Sequence, residues 1–275
     1  MKLIDYLSRA EDFKKAGIIL PQYDREQVVQ RTAQAPTWVH FGAGNIFRAF
    51  TAHLQQKLLN EKLADTGIIV AEGFDEEIIE KAYRPYDNIS LLSVLKADGT
   101  VDNEVIGSVT ESLQADPMGE DWARLEEIFR QPSLQMVSFT ITEKGYASVA
   151  PDSIMARLVM LLEARFQAGE LPLALVSMDN CSHNGEKLQN AVMSILKEGV
   201  NSDILPKEFL AYVQEKVSFP WSMIDLMCLP CTFSVSLIFS TGRPNWSAIS
   251  SALGRRSFSC SNFDNALLIL LSEPT

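Results

Sequence analysis

Two glycines, Gly42 and Gly44, separate a short apolar run, TWVHF, from a long stretch with apolar residues at helical spacing. The run has the composition of a buried parallel strand. Glycines at the end of such a strand let the backbone turn tightly and approach a pyrophosphate at the N-terminus of the next helix. A lone Gly-x-Gly also fits a plain tight turn, but this position favours a nucleotide site. The predicted cofactor ligands at the turn are Gly42, Gly44, Asn45, Ile46 and Arg48.

Two acids follow the next predicted strand, GIIVAE, at Glu72 and Asp75. An acid at the end of the second strand accepts hydrogen bonds from a ribose diol and repels a 2′-phosphate. Glu72 and Asp75 are therefore candidate cofactor ligands that favour NAD over NADP. Either one could instead be a solvated loop acid.

A third group of polar residues follows an apolar strand in the segment SFTITEKGY, residues 138–146. This strand would deliver Thr140 and Lys144 to the edge where an open α/β sheet has its ligand crevice. We interpret Thr140 as a cofactor contact and Lys144 as a candidate substrate ligand. Lys144 could also be taken for a catalytic base, but a solvated loop lysine is the simpler interpretation.

The segment SMDNCSHNGEKL, residues 177–188, places Asp179, Asn180, His183 and Asn184 between a strand and a helix. An Asn amide can hold a developing alkoxide without titrating, so Asn180 is predicted to bind substrate and stabilise that charge. Asp179 is a second candidate substrate ligand or, alternatively, a turn or cap residue. His183 could act as an acid or base, but a histidine at a helix start is more often structural.

Composition excludes several classes of function. The net charge of −11 disfavours binding to nucleic acid or to an anionic membrane, since both need a basic face. The N-terminus has no signal-peptide core, and no apolar run reaches the length of a spanning helix, so we expect a cytoplasmic protein. Residues 1–225 contain no His, Cys and carboxylate cluster at metal-ligand spacing, and no metal is predicted.

The elements that position these residues alternate along the chain. A polar helical arm over residues 1–35 precedes strands and helices that follow one another to about residue 217. Two apolar runs around Asp98-Gly99 predict a β-hairpin that decorates the sheet. The alternation predicts an α/β fold, a Rossmann-like, doubly wound and mostly parallel sheet over residues 36–225.

Four ordered segments resemble the mannitol dehydrogenase family, the polyol-specific long-chain dehydrogenases that include fructuronate and tagaturonate reductases. They are HFGAGNIFRAF, TITEKGY, SMDNCSHNG and FPWSMID, which together span about residues 30–225. The resemblance implies a metal-independent, NAD(P)-dependent enzyme that interconverts a polyol or hexonate alcohol with its ketone. It also implies a separate helical C-terminal domain that carries a Lys-x-x-x-x-Asn-x-x-His motif, whose lysine is the base and whose Asn, with Asn180 here, stabilises the alkoxide.

That lysine motif does not occur in the 275 residues. The histidines are His40, His53 and His183, and Leu175 stands five residues before Asn180, where the motif would need a lysine. We therefore expect a truncated, inactive fragment without the C-terminal helical domain. The competing hypothesis is a non-catalytic nucleotide-binding or interaction module on the same fold.

The tail, residues 226–275, differs in composition from the rest of the chain. It has ten serines and three of the four cysteines, and Cys228 and Cys231 lack a second pair at zinc-ligand spacing. Its charged residues are only Arg243, Arg255, Arg256, Asp264 and Glu273. The abrupt change suggests out-of-frame translation, with a divergent C-terminus as the alternative.

Overall fold

The computed structural model describes residues 2–96, 98–147, 150–222 and 267–271. In this part of the chain the strands are β1 (Ile18–Ile19), β2 (Trp38–Phe41), β3 (Ile68–Glu72), β4 (Ser90–Leu95), β5 (Val101–Ile106), β6 (Val109–Gln114), β7 (Met136–Phe139), β8 (Leu173–Ser177), β9 (Val217–Ser218) and β10 (Leu267–Leu271). The α-helices are α1 (Ala10–Lys15), α2 (Arg25–Gln34), α3 (Ala52–Asn60), α4 (Trp122–Arg130), α5 (Thr142–Ala147), α6 (Ile154–Gln167), α7 (Asn184–Asn201) and α8 (Lys207–Lys216). Short 3₁₀ or π turns cover Leu3–Tyr6, Phe47–Thr51, Ile79–Tyr83 and Arg84–Tyr86.

Six strands form a parallel sheet in the order β6-β3-β2-β7-β8-β9. This is the strand order of a doubly wound dinucleotide-binding fold, in which the chain reverses direction across the sheet between its first and fourth strands. Here those strands are β2 and β7, and their carboxyl ends meet at residues 41–42 and 139–140. The predicted Rossmann-like α/β fold is confirmed.

The predicted hairpin is also confirmed, as β4 paired antiparallel with β5. It belongs to a second sheet, β1-β5-β4-β10, in which β1 comes from the N-terminal arm. Strand β6 was not distinguished from the hairpin in the sequence. Its sequence, VTESLQ, has no continuous apolar run, and only the pairing with β3 reveals it as a separate strand of the main sheet.

Side chains of the central strands alternate between two apolar clusters. Val39 and Ile69 lie in the larger cluster with helices α4, α6, α7 and α8, whereas Ile68 and Val70 face the hairpin. All four side chains are fully buried, and each contributes about 1.5–3 kcal/mol to folding. Because both faces of the sheet are packed, the strands cannot shift relative to each other. The positions of the strand ends, and of the loops that carry the polar residues, are therefore fixed.

The N-terminal arm is attached by Arg25, a buried side chain at the start of α2. Its guanidinium donates to the Gly107 carbonyl at 3.2 Å and to the Asp87 carboxylate at 2.6 Å. These contacts connect α2 to the loop between β5 and β6 and to the turn before β4.

No helix in the described residues is long and apolar enough to cross a membrane. In the same residues no group of three or more His, Cys, Asp or Glu side chains is arranged to hold a metal ion. Apart from β10, the tail lies outside the described residues, and so do Cys228 and Cys231.

Candidate functional site

Gly42 ends β2 in a conformation that side-chain-bearing residues rarely adopt, with φ at +113°. A Cβ on Gly42 would lie 2.4 Å from the Thr140 carbonyl oxygen and 2.7 Å from Thr140 Oγ1. The Gly42 amide also donates to the Ala71 carbonyl at 3.0 Å. Glycine is therefore required where the chain leaves β2, because the neighbouring strands already occupy the space.

Gly44 has the opposite surroundings. No atom lies within 4 Å of where its Cβ would be, and its φ is ordinary. Gly44, Asn45 and Ile46 are exposed at the carboxyl edge of the sheet, just before the turn Phe47–Thr51 that leads into α3. A methyl group on Gly44 would meet no protein atom, so the backbone there is open to a ligand. This is the arrangement that a pyrophosphate needs.

Arg48 places a guanidinium directly behind this turn. The side chain is buried, donates to Asn45 Oδ1, and lies with its Cζ 5.6 Å from the centre of the Tyr83 ring. Burial raises the pKa of the Tyr83 phenol, which remains protonated and donates to the Ala43 carbonyl at 2.8 Å. The buried Arg48 Nε has no hydrogen-bond partner among the described residues. The turn therefore combines free backbone with a fixed positive charge, which suits an anion.

The Glu72 carboxylate connects the end of β3 to the glycine turn. It accepts the Ala43 amide at 2.7 Å on Oε2, and the Gly73 and Phe74 amides at 3.0 and 2.9 Å on Oε1. Its negative charge is thus fixed beside the turn, and Oε2 has capacity for a further donor. The structure brings Glu72 together with the turn, as the sequence predicted.

Asp75 is exposed on the loop after β3. Arg157 of α6 holds this loop by donating to the Gly73 carbonyl at 3.0 Å, Glu76 Oε1 at 2.9 Å and the Ala115 carbonyl at 2.7 Å. The loop position is therefore well determined, although the Asp75 carboxylate itself faces solvent.

His40 lies in β2 just before the turn and is completely buried. Its imidazole bridges one side chain of β7 and one just after it, with Nδ1 2.6 Å from Ser138 Oγ and Nε2 2.9 Å from Thr140 Oγ1. The ring stacks on Phe47, with the ring centres 4.2 Å apart. Desolvation lowers the pKa of His40 to about 3, so the ring is neutral at pH 7.

This burial predicts a pH dependence of stability. A histidine in the unfolded chain titrates near pH 6.5, so between that value and about pH 3 the unfolded state binds a proton that the folded state excludes. The stabilisation is complete above pH 6.5 and is lost as the pH falls. From pH 7 to pH 5 we expect His40 to account for a loss of about 2 kcal/mol in unfolding free energy.

Urea unfolding of the wild-type chain and of His40→Gln at both pH values measures this loss. Groups other than His40 titrate in both proteins, and their contributions cancel in the comparison. An equal pH dependence for the two proteins would contradict the burial of His40.

Asp179 uses its carboxylate to hold the loop between β7 and α5. Oδ2 and Oδ1 accept the Ile141 and Thr142 amides at 3.1 Å each, and Tyr146 donates its hydroxyl to Oδ2 at 2.6 Å. Thr142 has φ at +64°, a strained conformation for a β-branched residue. The geometry supports the interpretation of Asp179 as a turn residue, and its role as a substrate ligand stays a prediction.

Asn180 and Lys144 are exposed after β8 and in α5, respectively. Neither makes a side-chain hydrogen bond within residues 2–96, 98–147 and 150–222. Because β7 and β8 are adjacent and parallel, both residues lie at the same edge of the sheet as Thr140. Their side chains are therefore available to a ligand at this edge.

A contact that the sequence did not predict connects Asn184 with residues 219–222. The Asn184 amide donates to the Ser222 carbonyl at 2.9 Å and accepts the Ser222 amide at 3.1 Å. A Cβ on the next residue, Gly185, would lie 2.7 Å from the Pro220 carbonyl oxygen. His183, at φ +55°, packs edge-on against Trp221 with the ring centres 4.7 Å apart. These contacts give His183 a structural setting and explain why the pair Asn184-Gly185 suits this helix start.

We expect Asn184→Ala to lower the unfolding free energy by roughly 2–3 kcal/mol, because it leaves the partly buried Ser222 carbonyl and amide without the partner that the Asn184 side chain provides. The measurement is urea unfolding, with Lys187→Ala on the same helix as the control. Lys187 forms an ion pair with Glu143 that is largely exposed and contributes about 0–1 kcal/mol. Equal effects of the two substitutions would contradict a stabilising role of the contacts between Asn184 and Ser222.

The strand order and the glycine turn at the centre of the sheet define a Rossmann-like α/β domain. Residues 36–239 match the family model described as the mannitol dehydrogenase Rossmann domain. The chain therefore belongs to the mannitol dehydrogenase family of oxidoreductases.

Individual relatives agree with this assignment. A D-mannonate oxidoreductase of Thermotoga maritima is 46% identical over 232 residues, which cover 78% of this chain and 43% of the relative. A mannitol 2-dehydrogenase of Cereibacter sphaeroides is 29% identical over 240 residues, covering 76% of this chain and 45% of the relative. The chain thus spans about half the length of the curated relatives it matches.

A solved structure shares the fold. The Pseudomonas fluorescens mannitol 2-dehydrogenase, solved in a ternary complex with NAD and D-mannitol, superposes with a TM-score of 0.64 at 22% identity. The superposition covers 81% of this chain and 47% of that enzyme.

Proposed function

We propose that this chain binds NAD at the glycine turn and forms the cofactor-binding part of a polyol or hexonate dehydrogenase. The observation that carries the proposal is the contrast between Gly42, which is confined against Thr140, and Gly44, above which the space is open. Both residues lie at the switch point of the sheet, where this fold binds dinucleotides. Gly44 and the amides after it would hold the pyrophosphate, with the Arg48 charge behind them.

The preference for NAD over NADP rests on Glu72. Its carboxylate is fixed beside the turn by four backbone amides, where it can accept a ribose hydroxyl and repel a 2′-phosphate. Asp75 adds a second negative charge on the same loop. The mannitol 2-dehydrogenase with the same fold was solved with NAD.

For the substrate, we propose a hexonate of the mannonate and fructuronate type ahead of a plain polyol. The 46% identity to a D-mannonate oxidoreductase exceeds the 29% to a mannitol 2-dehydrogenase. Asn180 and Lys144 are the exposed polar groups available for such a substrate, and Lys144 would offer a charge to its carboxylate.

The cofactor would supply the hydride acceptor for alcohol oxidation. Asn180 would donate its amide to the substrate oxygen and stabilise the charge that develops there. The 275 residues contain no Lys-x-x-x-x-Asn-x-x-His motif to accept the hydroxyl proton. Absence of a general base costs about 10²–10⁴ in rate, so we propose that this chain alone binds the cofactor without turnover.

Two measurements test the proposal. The first is a calorimetric titration of the purified chain with NADH and with NADPH. The second is a turnover assay with mannitol, fructuronate and tagaturonate. We expect NADH to bind more tightly than NADPH, with no turnover. Clear turnover would refute the inactive-fragment hypothesis. A folded chain that binds no nucleotide would favour the interaction module.

The origin of the tail stays a separate hypothesis. The family match continues past Asp225 to residue 239, so a change of frame at residue 226 and a divergent C-terminus remain alternatives. Sequencing the source DNA through codons 220–232 distinguishes them, because a single intact frame excludes the frameshift. The cytoplasmic location and the lack of nucleic-acid and membrane partners also stay predictions.

A further inference from the structure

A continuous chain of buried and partly buried polar side chains leads from the middle of the sheet to the glycine turn. Trp38 Nε1 lies 2.7 Å from Ser138 Oγ, which lies 2.6 Å from His40 Nδ1. On its other side, His40 Nε2 lies 2.9 Å from Thr140 Oγ1, which is 3.5 Å from the Gly42 carbonyl oxygen. Ser138 and His40 are directly opposite each other on β7 and β2.

The direction of this chain follows from counting protons. The indole N–H of Trp38 can only donate, so Ser138 Oγ accepts from it. The Ser138 hydroxyl proton then needs an acceptor, and in its fully buried surroundings His40 Nδ1 is the one within reach among the described residues. Nδ1 must therefore be unprotonated, and the single proton of the neutral ring is on Nε2. The opposite tautomer would leave the Ser138 proton buried without a partner, which costs about 1–3 kcal/mol.

The same direction continues into the turn. His40 Nε2–H donates to Thr140 Oγ1, so a lone pair of that hydroxyl oxygen is occupied by the imidazole. The Thr140 proton is then directed toward the Gly42 carbonyl. Without the imidazole, the Thr140 hydroxyl could rotate freely. Because Thr140 is also the residue that confines Gly42, its orientation bears directly on the conformation of the turn.

We propose that His40, as the neutral Nε2–H tautomer, is a positioning residue for the dinucleotide site, where it orients Thr140 and through it the turn at Gly42. The stacking on Phe47, the residue that begins the turn leading into α3, keeps the ring plane aligned with both partners. This role deepens the proposed function and rests on it, since it assumes that the turn binds a dinucleotide.

Two substitutions of His40 distinguish hydrogen-bond donation to Thr140 from a role of the ring in packing alone. The amide nitrogen of a glutamine at position 40 can reach the place of Nε2, whereas an asparagine reaches only that of Nδ1. We expect His40→Gln to keep the dissociation constant of NADH within about threefold of wild type. His40→Asn should raise it about tenfold or more, the size of one lost hydrogen bond. Equal effects of the two substitutions, large or small, would overturn the positioning role.

Nuclear magnetic resonance tests the tautomer without any nucleotide. In a two-bond ¹H–¹⁵N spectrum at pH 7 we expect a protonated, pyrrole-type Nε2 and a pyridine-type Nδ1 for His40. The reverse pattern, or an imidazolium, would overturn the proposal. If the spectrum is as expected but the wild-type chain binds no NADH, the proposed function fails and the positioning role fails with it. The hydrogen-bond chain itself would still stand, so the two failures are distinguishable.

Discussion

Gly42→Ala should lower the unfolding free energy by roughly 3 kcal/mol or more and abolish NADH binding. The added Cβ would lie 2.4 Å from the carbonyl oxygen of Thr140, which directly follows the adjacent strand β7 and is held to Phe41 by a backbone hydrogen bond. Alanine at φ +113° adds strain of about 1–3 kcal/mol, and overpacking adds about 1–3 kcal/mol more. Urea unfolding measures the stability, and calorimetry measures the binding.

Gly44→Ala is the matched control for this substitution. Its Cβ would meet no protein atom, so we expect the unfolding free energy to change by no more than about 1 kcal/mol. NADH binding should nevertheless weaken at least about tenfold, because the methyl group occupies the space that the proposal assigns to the pyrophosphate. An alanine at position 44 with wild-type NADH affinity would contradict a cofactor at this turn.

Asp179→Ala is expected to have the second large effect, again on stability. It removes the acceptor for two backbone amides and the Tyr146 hydroxyl. Burial raises the pKa of Tyr146, with the nearby Asp179 charge as a further cause, so this phenol remains a donor that needs an acceptor. We expect the unfolding free energy to fall by roughly 3 kcal/mol, since hydrogen bonds to a charged group contribute about 1.5–3 kcal/mol each and are not fully additive.

The neighbouring residue provides the control. Asn180 is exposed, and Asn180→Ala should change the unfolding free energy by less than about 0.5 kcal/mol. If Asp179→Ala is as stable as wild type, Asp179 does not hold the turn. If Asn180→Ala is as unstable as Asp179→Ala, Asn180 is not a side chain that is free for a ligand.

The sequence predicted that the glycine turn and the acid after β3 lie close together because its signals there are local. Gly42 and Gly44 follow a buried strand within a few residues, and Glu72 ends the next strand, so strand order alone brings them together. Thr140 and Asn180 follow the same logic, since parallel strands end at one edge.

The interactions that the sequence could not predict join residues far apart along the chain. Asn184 contacts Ser222 across 38 positions, and Asp179 contacts Thr142 across 37. Nothing in the local pattern distinguishes a buried Asn184 from an exposed Asn180. Likewise, the tautomer of His40 depends on the hydroxyl of Ser138, 98 positions away, which sequence periodicity does not reveal.

The most direct test of the central claim is a calorimetric titration of the folded 275-residue chain with NADH. The account predicts saturable binding at one site, weaker binding of NADPH because of the Glu72 charge, and at least about tenfold weaker NADH binding in Gly44→Ala with a stability change of no more than about 1 kcal/mol. Absence of saturable heat from a wild-type chain that is folded by circular dichroism would contradict it.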